Sequence, residues 1–144
     1  GIAFAAFDPG YTQAEEEARA DVHRVDREAP RAAAPLAFGH DLEAALATAR
    51  ANGTQVFLDF ETTWCGPCKQ MDQWVYTAAA VVAAAERTGV VPVKLDGDEQ
   101  RELVRRYGVR GYPTMLLLDA EGRELKRAVG YRSVAEMAAF LGGQ

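Results

Sequence analysis

The only two cysteines of the chain, Cys65 and Cys68, enclose a Gly-Pro dipeptide. A disulfide between cysteines this close restricts the unfolded chain very little, so the pair indicates chemistry more than cross-linking. Two thiols can also bind a metal, but a zinc site needs four ligands, and the two histidines, His23 and His40, lie far upstream. The spacing therefore favours a redox-active dithiol, with a structural disulfide and a metal site as the alternatives.

The sequence on either side of the cysteines predicts a strand followed by a helix. Residues 55–60 are mostly apolar and interrupted by Asp59, which is typical of a buried central strand. A helix is expected to begin at Cys65 and run past Trp74, with an interruption near Thr77. The first thiol then lies at a helix N-terminus, where free N–H groups and the helix dipole lower the pKa of a cysteine from ~8.5 to about 3.5 to 7.5.

This placement gives the two thiols different roles. Cys65 is expected to attack a substrate disulfide as a thiolate and form a mixed disulfide. Cys68, which is more shielded, would then attack Cys65 and release the reduced substrate. Gly66 lets the backbone approach a partner closely, and Pro67 fits the first helical turn, where its missing N–H costs nothing.

The composition argues against several other classes of function. A length of 144 residues fits one domain. The net charge is -5 and the cations are dispersed, which argues against nucleic acid as a partner. No apolar run reaches the ~18 residues of a membrane span, so we expect a soluble chain without one. The apolar stretch 2–7 is too short, and it lacks the cationic flank and cleavage site of a signal peptide.

From Leu36 onward, strand and helix signals alternate at the short intervals of an α/β domain. In chain order the remaining predicted elements are a short strand at 36–38, a helix begun by Asp41 and ended by Gly53, a strand at 91–95, a helix capped by Asp98, a hairpin of strands 114–118 and 124–129, and a last helix with the capping box Ser133 and Glu136.

Residues 1–35 differ from the rest of the chain, because they are acidic and carry few large apolar groups. We predict an N-terminal extension and linker at 1–35, followed by one domain at 36–144. Thr12 and Glu15 form a capping box that begins a helix, and residues 30–35 indicate a linker. This helix is expected to dock weakly or act as a spacer, because its apolar stripe is thin: Ala14, Ala18, Val22 and Val25.

Several motifs of the chain, taken in order, resemble those of the thioredoxin family. The resemblance covers residues 36–144 and is closest to bacterial extracytoplasmic thioredoxin-like proteins, including the C-terminal domain of transmembrane thiol:disulfide interchange reductases. It implies the α/β thioredoxin fold, a mixed central β-sheet flanked by helices, here with an N-terminal helical extension. The matching motifs are Phe57-Leu58-Asp59-Phe60, Trp64-Cys65-Gly66-Pro67-Cys68-Lys69, Val93-Lys94-Leu95-Asp96, Tyr107-Gly108-Val109-Arg110-Gly111-Tyr112-Pro113-Thr114 and Gly130.

The resemblance also implies catalytic roles beyond the two cysteines. The family aspartate that matches Asp59 assists deprotonation of the second cysteine. An acid within an apolar strand should be buried with a raised pKa, although one slip in strand alternation would turn Asp59 to solvent. Lys94 matches the lysine that pairs with this aspartate, or is an ordinary edge charge. Pro113 matches the family's cis-proline, and Trp64 is expected to cover the cysteines. The implied substrate-binding residues are Trp64, Gly66, Pro67, Tyr112, Pro113, Thr114 and Gly130.

Three features depart from the family pattern. Glu61 replaces an aromatic residue, and an acid near the thiolate would raise the pKa of Cys65. Gln73 replaces the proline that kinks the helix after the cysteines. Residues 1–35 have no thioredoxin counterpart. These departures bear on redox direction and substrate preference.

The sequence thus predicts an enzyme, a thiol:disulfide oxidoreductase that acts as a dithiol reductant of protein disulfides. Its expected partners are disulfide-containing proteins and a redox partner protein. We expect a monomer with no cofactor besides the Cys65–Cys68 disulfide and no bound metal. The expected location is periplasmic or otherwise extracytoplasmic, with the cytoplasm as the alternative. The competing functions are an oxidant or isomerase of disulfides, and a non-enzymatic binding module that uses Trp64, Tyr112 and Tyr131.

Overall fold

The computed structural model describes residues 12–142. Six α-helices and four β-strands make up this part of the chain, with a π-helical segment at Met71–Val75 between the third and fourth helices. The α-helices are α1 (Gln13–Glu28), α2 (Leu42–Asn52), α3 (Gly66–Gln70), α4 (Ala79–Thr88), α5 (Arg101–Arg106) and α6 (Val134–Gly142), and the strands are β1 (Val56–Glu61), β2 (Val91–Asp96), β3 (Thr114–Leu118) and β4 (Glu124–Val129).

The four strands form one mixed sheet in the order β2-β1-β3-β4. β1 pairs in parallel with β2, which sets Asp59 opposite Lys94, and antiparallel with β3. β3 and β4 form the predicted antiparallel hairpin. Every residue of β1 and β3 is buried, as expected for central strands with helices on both faces. This is the thioredoxin fold that the resemblance implied.

Side chains of β1 alternate between two apolar layers. Leu58 and Phe60 pack with α2 and α5 on one face. Phe57 packs on the other face with the π-helical segment, α4 and α6. Burial of each such side chain contributes about 1.5–3 kcal/mol, so the two layers hold the sheet in place. Asp59 and Glu61 follow Phe57 at two-residue intervals and share its face, which is the face that carries the cysteine helix.

Two predicted features before and after the cysteines are wrong. Residues 36–38 form no strand; instead, Gly39 makes a single parallel bridge to the edge of β2. The backbone N–H of Leu36 donates to Tyr76 O, so the start of this segment bonds to the loop before α4 and not to β2. Asp98 does not cap α5, because the N-cap is Gln100, which has no side-chain cap hydrogen bond. The carboxylate of Asp98 instead accepts a hydrogen bond from Trp64, the residue before Cys65.

The predicted interruption of the helix after the cysteines is confirmed. Residues Met71–Val75 form a π-helical segment, in which the Tyr76 N–H donates to Met71 O at 2.9 Å. α4 then starts again at Ala79. π-helical segments are rare and frequent at functional sites. Here the segment turns Asp72 toward the sheet and Trp74 toward α1.

The N-terminal helix α1 begins with the predicted capping box of Thr12 and Glu15. Its apolar stripe is only partly covered, since Val22 and Val25 are 39% and 51% exposed. The buried residue of α1 is Asp26, so the helix contacts the domain through a polar side chain, and weak docking stays a prediction. Residues 30–35 are also held against the domain, because Ala32 N–H donates to Thr77 O and Ala79 N–H to Pro30 O, each at 2.8 Å.

The last helix, α6, has the predicted capping box, in which the Glu136 N–H donates to Ser133 Oγ and the Ser133 N–H to Glu136 Oε1. Within residues 12–142, no helix has the length and apolar character that crossing a membrane requires.

Candidate redox site

The two cysteines form a disulfide at the start of α3, with their Cα atoms 5.3 Å apart. Cys65 is the N-cap residue, and its Sγ accepts the Cys68 N–H at 3.2 Å. Cys65 is 4% exposed and Cys68 0%, so the second thiol is the more shielded one, as predicted. Gly66 and Pro67 are exposed beside the disulfide. A partner therefore reaches the sulfur of Cys65 first.

Trp64 stands beside the disulfide with 66% of its surface exposed. Its indole Nε1 donates to Asp98 Oδ2 at 2.9 Å, and its ring meets Tyr112 edge-on, with centroids 5.8 Å apart. Gly97 makes room for this pair, since a Cβ there would lie 2.1 Å from the Tyr112 hydroxyl oxygen. Asp98 and Gly97 were missed as site residues. The Trp64-Cys65 motif predicts a polar partner for the indole but does not identify it.

The loop before β3 lies beside the end of β4. The Tyr112–Pro113 peptide bond is cis. Gly130 has φ of 87° and donates its N–H to Pro113 O at 2.8 Å, so the loop and the end of the hairpin are joined. Thr114 is buried, and its Oγ1 donates to Gly111 O at 2.7 Å. The structure thus brings Pro113, Thr114 and Gly130 together.

Asp59 is 0% exposed, and neither carboxylate oxygen has a hydrogen-bond partner among the described residues. The prediction of a buried carboxylate is confirmed, and the solvent-facing alternative is wrong. Burial raises the pKa of Asp59, because the charged form loses its hydration, while the nearby charge of Lys94 partly offsets this effect. A carboxyl group of this kind can exchange a proton near neutral pH.

Glu61 is buried on the same face of β1 and forms an acidic cluster with Asp59 and Asp72. One carboxylate oxygen from each lies within 4.8 Å of the others. Burial raises the pKa of Glu61, and the neighbouring Asp59 raises it further. Two carboxylates this close resist joint ionisation, so the pair retains a proton near neutral pH. Asp72, carried by the π-helical segment, was missed from the sequence.

Lys94 supplies the positive charge of this cluster. Its Nζ is 2.7 Å from Asp72 Oδ1 and 3.8 Å from Glu61 Oε2, and it lies 4.4 Å from the centroid of the Phe38 ring. Within residues 12–142 these are its two ion pairs, so the predicted direct pairing with Asp59 is replaced by pairing with the other two acids. Asp72 and Lys94 are partly exposed and line a groove of about 410 Å³ that also contains Glu61. The cluster therefore extends from the buried Asp59 to solvent.

A second polar cluster fixes α1 to the domain. Asp26 Oδ2 accepts the Tyr131 hydroxyl at 2.5 Å, and Oδ1 accepts the Val134 N–H at the start of α6 at 3.1 Å. The ring of His23 lies 4.6 Å from that of Tyr131 and 5.2 Å from that of Trp74, centroid to centroid. Trp74 therefore packs against α1. The hydroxyl of Tyr131 is engaged by Asp26, while its half-buried ring still lines a groove together with Pro67 and Gln70.

The geometry can be compared with known proteins. The profile of the Thioredoxin-like domain family matches residues 42–143. The chain belongs to this family. Over 104 residues, the thioredoxin-like domain is 33% identical to the thiol:disulfide interchange protein DsbD of Ralstonia nicotianae, an alignment that covers 70% of this chain and 17% of that protein. The corresponding protein of Pseudomonas fluorescens is 36% identical over 103 residues, with 70% and 18% covered.

Solved structures of two relatives have the same fold as the thioredoxin-like domain. A putative disulphide-isomerase from Bacteroides thetaiotaomicron has a TM-score of 0.66 and 34% identity, with 78% of this chain and 98% of that chain covered. A thioredoxin from Thermus thermophilus has a TM-score of 0.65 and 32% identity, with 74% and 85% covered. The chain spans about a fifth of the length of the interchange proteins. These relatives and the CxxC disulfide support thiol:disulfide oxidoreductase activity for this domain.

Proposed function

We propose that this domain is a dithiol reductant of protein disulfides. The observation that carries the proposal is the Cys65–Cys68 disulfide at a helix N-terminus, above a sheet face with a buried carboxylate that has no hydrogen-bond partner among the described residues. In the reduced protein, the free N–H groups of the first helical turn favour the Cys65 thiolate. The Gly-Pro pair between the cysteines resembles that of the reducing members of the family.

The reaction proceeds in two exchanges. The Cys65 thiolate attacks one sulfur of the substrate disulfide, forms a mixed disulfide and releases the other substrate sulfur as a thiolate. Cys68 then loses its proton and attacks Cys65 Sγ, which forms the Cys65–Cys68 disulfide and releases the second substrate thiolate. The substrate gains two electrons and the protein dithiol loses two. A dithiol redox partner must return these electrons by the reverse exchange.

The acidic cluster takes the proton from Cys68 in this scheme. Asp59 lies on the face of β1 that is covered by the cysteine helix, and its raised pKa suits proton uptake near pH 7. Glu61 and Asp59 hold one proton between them, and the groove lined by Asp72 and Lys94 connects the pair with solvent. The cis Tyr112–Pro113 bond and Gly130 form the loop against which the substrate chain lies.

The proposed location is outside the cytoplasm, and the proposed partners are a disulfide-bearing protein and a dithiol donor. Similarity to the thiol:disulfide interchange proteins supports the proposed partners, since their name states an exchange between thiols and disulfides. The proposed location rests on the resemblance to extracytoplasmic thioredoxin-like proteins. Labelling of Cys65 in intact cells by a membrane-impermeant thiol reagent tests the location. A thiol accessible only after lysis would favour the cytoplasm.

The deciding experiment combines protein-disulfide reduction with a measured reduction potential. Cys65→Ser should abolish turnover, whereas Cys68→Ser should still attack and accumulate a mixed disulfide, because only the second exchange is lost. The expected potential is near that of thioredoxin, about −270 mV. A potential near the −120 mV that is typical of strong oxidants would reverse the proposed direction, and absence of turnover would favour a binding module.

A further inference from the structure

The π-helical segment that follows α3 ends in carbonyl groups whose partners lie outside the matched family domain of residues 42–143. The last C=O groups of a helix have no partners within the helix itself. Here Trp74 O accepts a hydrogen bond from Nη1 of Arg31 at 2.9 Å, and Thr77 O accepts the Ala32 N–H at 2.8 Å. The segment after α1 therefore supplies the hydrogen bonds that end the cysteine helix.

Arg31 bonds to the ends of two helices at once. Its Nη1 donates to Trp74 O and, at 2.6 Å, to Thr77 Oγ1, which donates in turn to Gln73 O at 2.7 Å. Its Nη2 donates to the backbone O of Asp26, near the end of α1, at 2.5 Å. A guanidinium suits this place, because its donors form a rigid fork and its charge faces the negative ends of two helix dipoles. Arg31 therefore joins α1 to the π-helical segment.

The register of the π-helical segment is not enforced by its own sequence. Gln73, which replaces the family's kinking proline, is a good α-helix former. The segment nevertheless has the five-residue spacing of a π-helix, in which the Tyr76 N–H donates to Met71 O. An interruption of a helix without proline needs contacts that hold it. The hydrogen bonds of Arg31 at the end of the segment, on Trp74 O, are such contacts.

The register of this segment also sets the position of Asp72. Asp72 Oδ1 lies 2.7 Å from Lys94 Nζ, and one carboxylate oxygen of Asp72 lies within 4.8 Å of oxygens of Asp59 and Glu61. A change of register by one residue rotates a side chain about 100° around the helix axis. Such a rotation would carry the Asp72 carboxylate away from Lys94 and remove one negative charge from the acidic cluster.

The charged and titratable groups that share the cluster or its groove with Asp72 come from several elements. They are Asp59 and Glu61 of β1, Lys94 and Asp96 of β2, Lys69 of α3, and His40 and Tyr76 of two loops. Burial raises the pKa of Asp59 and Glu61 most, the anion of Asp72 adds to the increase, and Lys94 opposes it. Displacement of Asp72 should therefore lower the pKa of the pair, whereas loss of the Arg31 charge alone would raise it.

We propose that Arg31 is a positioning residue of the redox site, which holds the π-helical segment in the register that places Asp72 beside Lys94. The proposal rests on the proposed oxidoreductase function, because the acidic cluster takes up the Cys68 proton in that scheme. Arg31 acts on the reaction through Asp72. A part of the chain without a thioredoxin counterpart thus sets the pH range of the second exchange.

The test measures the pH midpoint of the second exchange, from the release of substrate thiol by the mixed disulfide between pH 5 and 9. Arg31→Ala should lower the midpoint by about half a unit, and Asp72→Asn by a similar amount. The double variant should match Asp72→Asn, since Arg31 acts through Asp72. Arg31→Lys should also lower the midpoint, because one ammonium group cannot replace the fork. An unchanged or raised midpoint in both Arg31 variants would overturn the proposal.

Asp26→Ala is the matched control, because it removes the side-chain anchor of α1 but leaves the hydrogen bond from Arg31 to Trp74 O. This variant should keep the native midpoint despite its lower stability, and a shift equal to that of Arg31→Ala would show a merely structural role.

Urea unfolding from pH 4 to 9 reports on the same carboxyl pair without turnover. The fall of stability with rising pH should level off about half a unit lower in Arg31→Ala than in the native protein. Superimposable profiles would overturn the role of Arg31. A native protein that forms no mixed disulfide would instead contradict the oxidoreductase function, and the unfolding profiles would still decide the role of Arg31.

Discussion

Asp26 and Asp59 are both buried, 2% and 0% exposed, but their surroundings are opposite. The carboxylate of Asp26 accepts hydrogen bonds from Tyr131 and Val134. Neither oxygen of Asp59 has a partner within residues 12–142. A buried charge with donors stabilises the fold, whereas one without donors favours proton uptake. The buried Asp26 therefore anchors α1, whereas the buried Asp59 is suited to take up a proton.

Removal of the anchoring carboxylate should have the largest effect on stability. In Asp26→Ala, the Tyr131 hydroxyl and the Val134 N–H lose a charged acceptor, so the free energy of unfolding should fall by about 3 kcal/mol. Urea unfolding measures this change, and hydrogen exchange in α1 should rise. Asp21→Ala is the control, because within residues 12–142 Asp21 makes an exposed ion pair with Arg24, and its loss should cost less than about 0.5 kcal/mol. Similar losses in both variants would contradict the anchoring role.

Replacement of the reactive carboxylate of Asp59 should instead raise the free energy of unfolding at alkaline pH. The pKa of Asp59 is raised in the folded protein, so the folded state binds a proton that the unfolded state has released above pH ~4. Native stability therefore falls as pH rises through the folded pKa. Asp59→Asn lacks this loss and should be about 2 kcal/mol more stable than the native protein at pH 8, with little difference near pH 4.

Two measurements check Asp59→Asn. The unfolding free energies of Asp59→Asn from pH 4 to 9 should diverge from the native values as pH rises. Parallel curves for the two proteins would show that the pKa of Asp59 is not raised. Trapping of mixed disulfides should be nearly unchanged, while the second exchange should slow below about pH 8, because the acceptor of the Cys68 proton is lost.

The tyrosines near the two aspartates differ in the same way. Tyr131 donates to Asp26, whereas the buried hydroxyl of Tyr76 has no hydrogen-bond partner among the described residues. Tyr131→Phe should lower the free energy of unfolding by about 1.5 kcal/mol, and Tyr76→Phe should change it by less than about 0.5 kcal/mol. Thermal unfolding of the two variants measures both losses of stability. Equal losses would contradict the difference between the two tyrosines.

The smallest effect is expected at Glu61. Because Asp59 and Glu61 hold one proton between them, the neutral amide of Glu61→Gln resembles the protonated acid. The pH midpoint of the second exchange should then move by less than about half a unit. Glu61→Leu removes the polar group and should raise the midpoint, since the Asp59 anion loses its polar neighbour. Stopped-flow release of substrate thiol across pH 6–9 distinguishes the two, and equal shifts would exclude proton sharing.

The two aspartates also differ in how far the sequence predicts them. Asp59 was predictable because a charge within an apolar strand contradicts its surroundings. Asp26 was not, because an acid on a polar helix looks like an ordinary surface residue. Its partner Tyr131 is 105 positions away, and no local pattern joins them. The positions of β1 to β4 and of the cysteine helix along the chain followed from periodicity, since these elements are determined by local alternation and capping. The mixed sheet was implied by the resemblance.

The acidic cluster was partly predictable for a related reason. Glu61 was noted as a departure, but it was expected to act on the Cys65 thiolate. Its position two residues after Asp59 on one strand places both acids on one face, which strand alternation alone implies. Asp72 could not be assigned, because the π-helical segment that orients it depends on packing and not on a capping or turn signal.

The outer strands of the sheet bear on how copies of this protein behave at high concentration. Exposed strand edges invite pairing between chains and aggregation. On β2, Pro92 has no N–H, its carbonyl accepts the Gly39 N–H, and the Lys94 N–H donates to Gly39 O, so one glycine occupies the edge. β4 has Glu124, Lys126 and Arg127 along its length, and such charges oppose a second strand. The sheet is thereby shielded from edge-to-edge association during the repeated cycles of oxidation and reduction that its cysteines undergo.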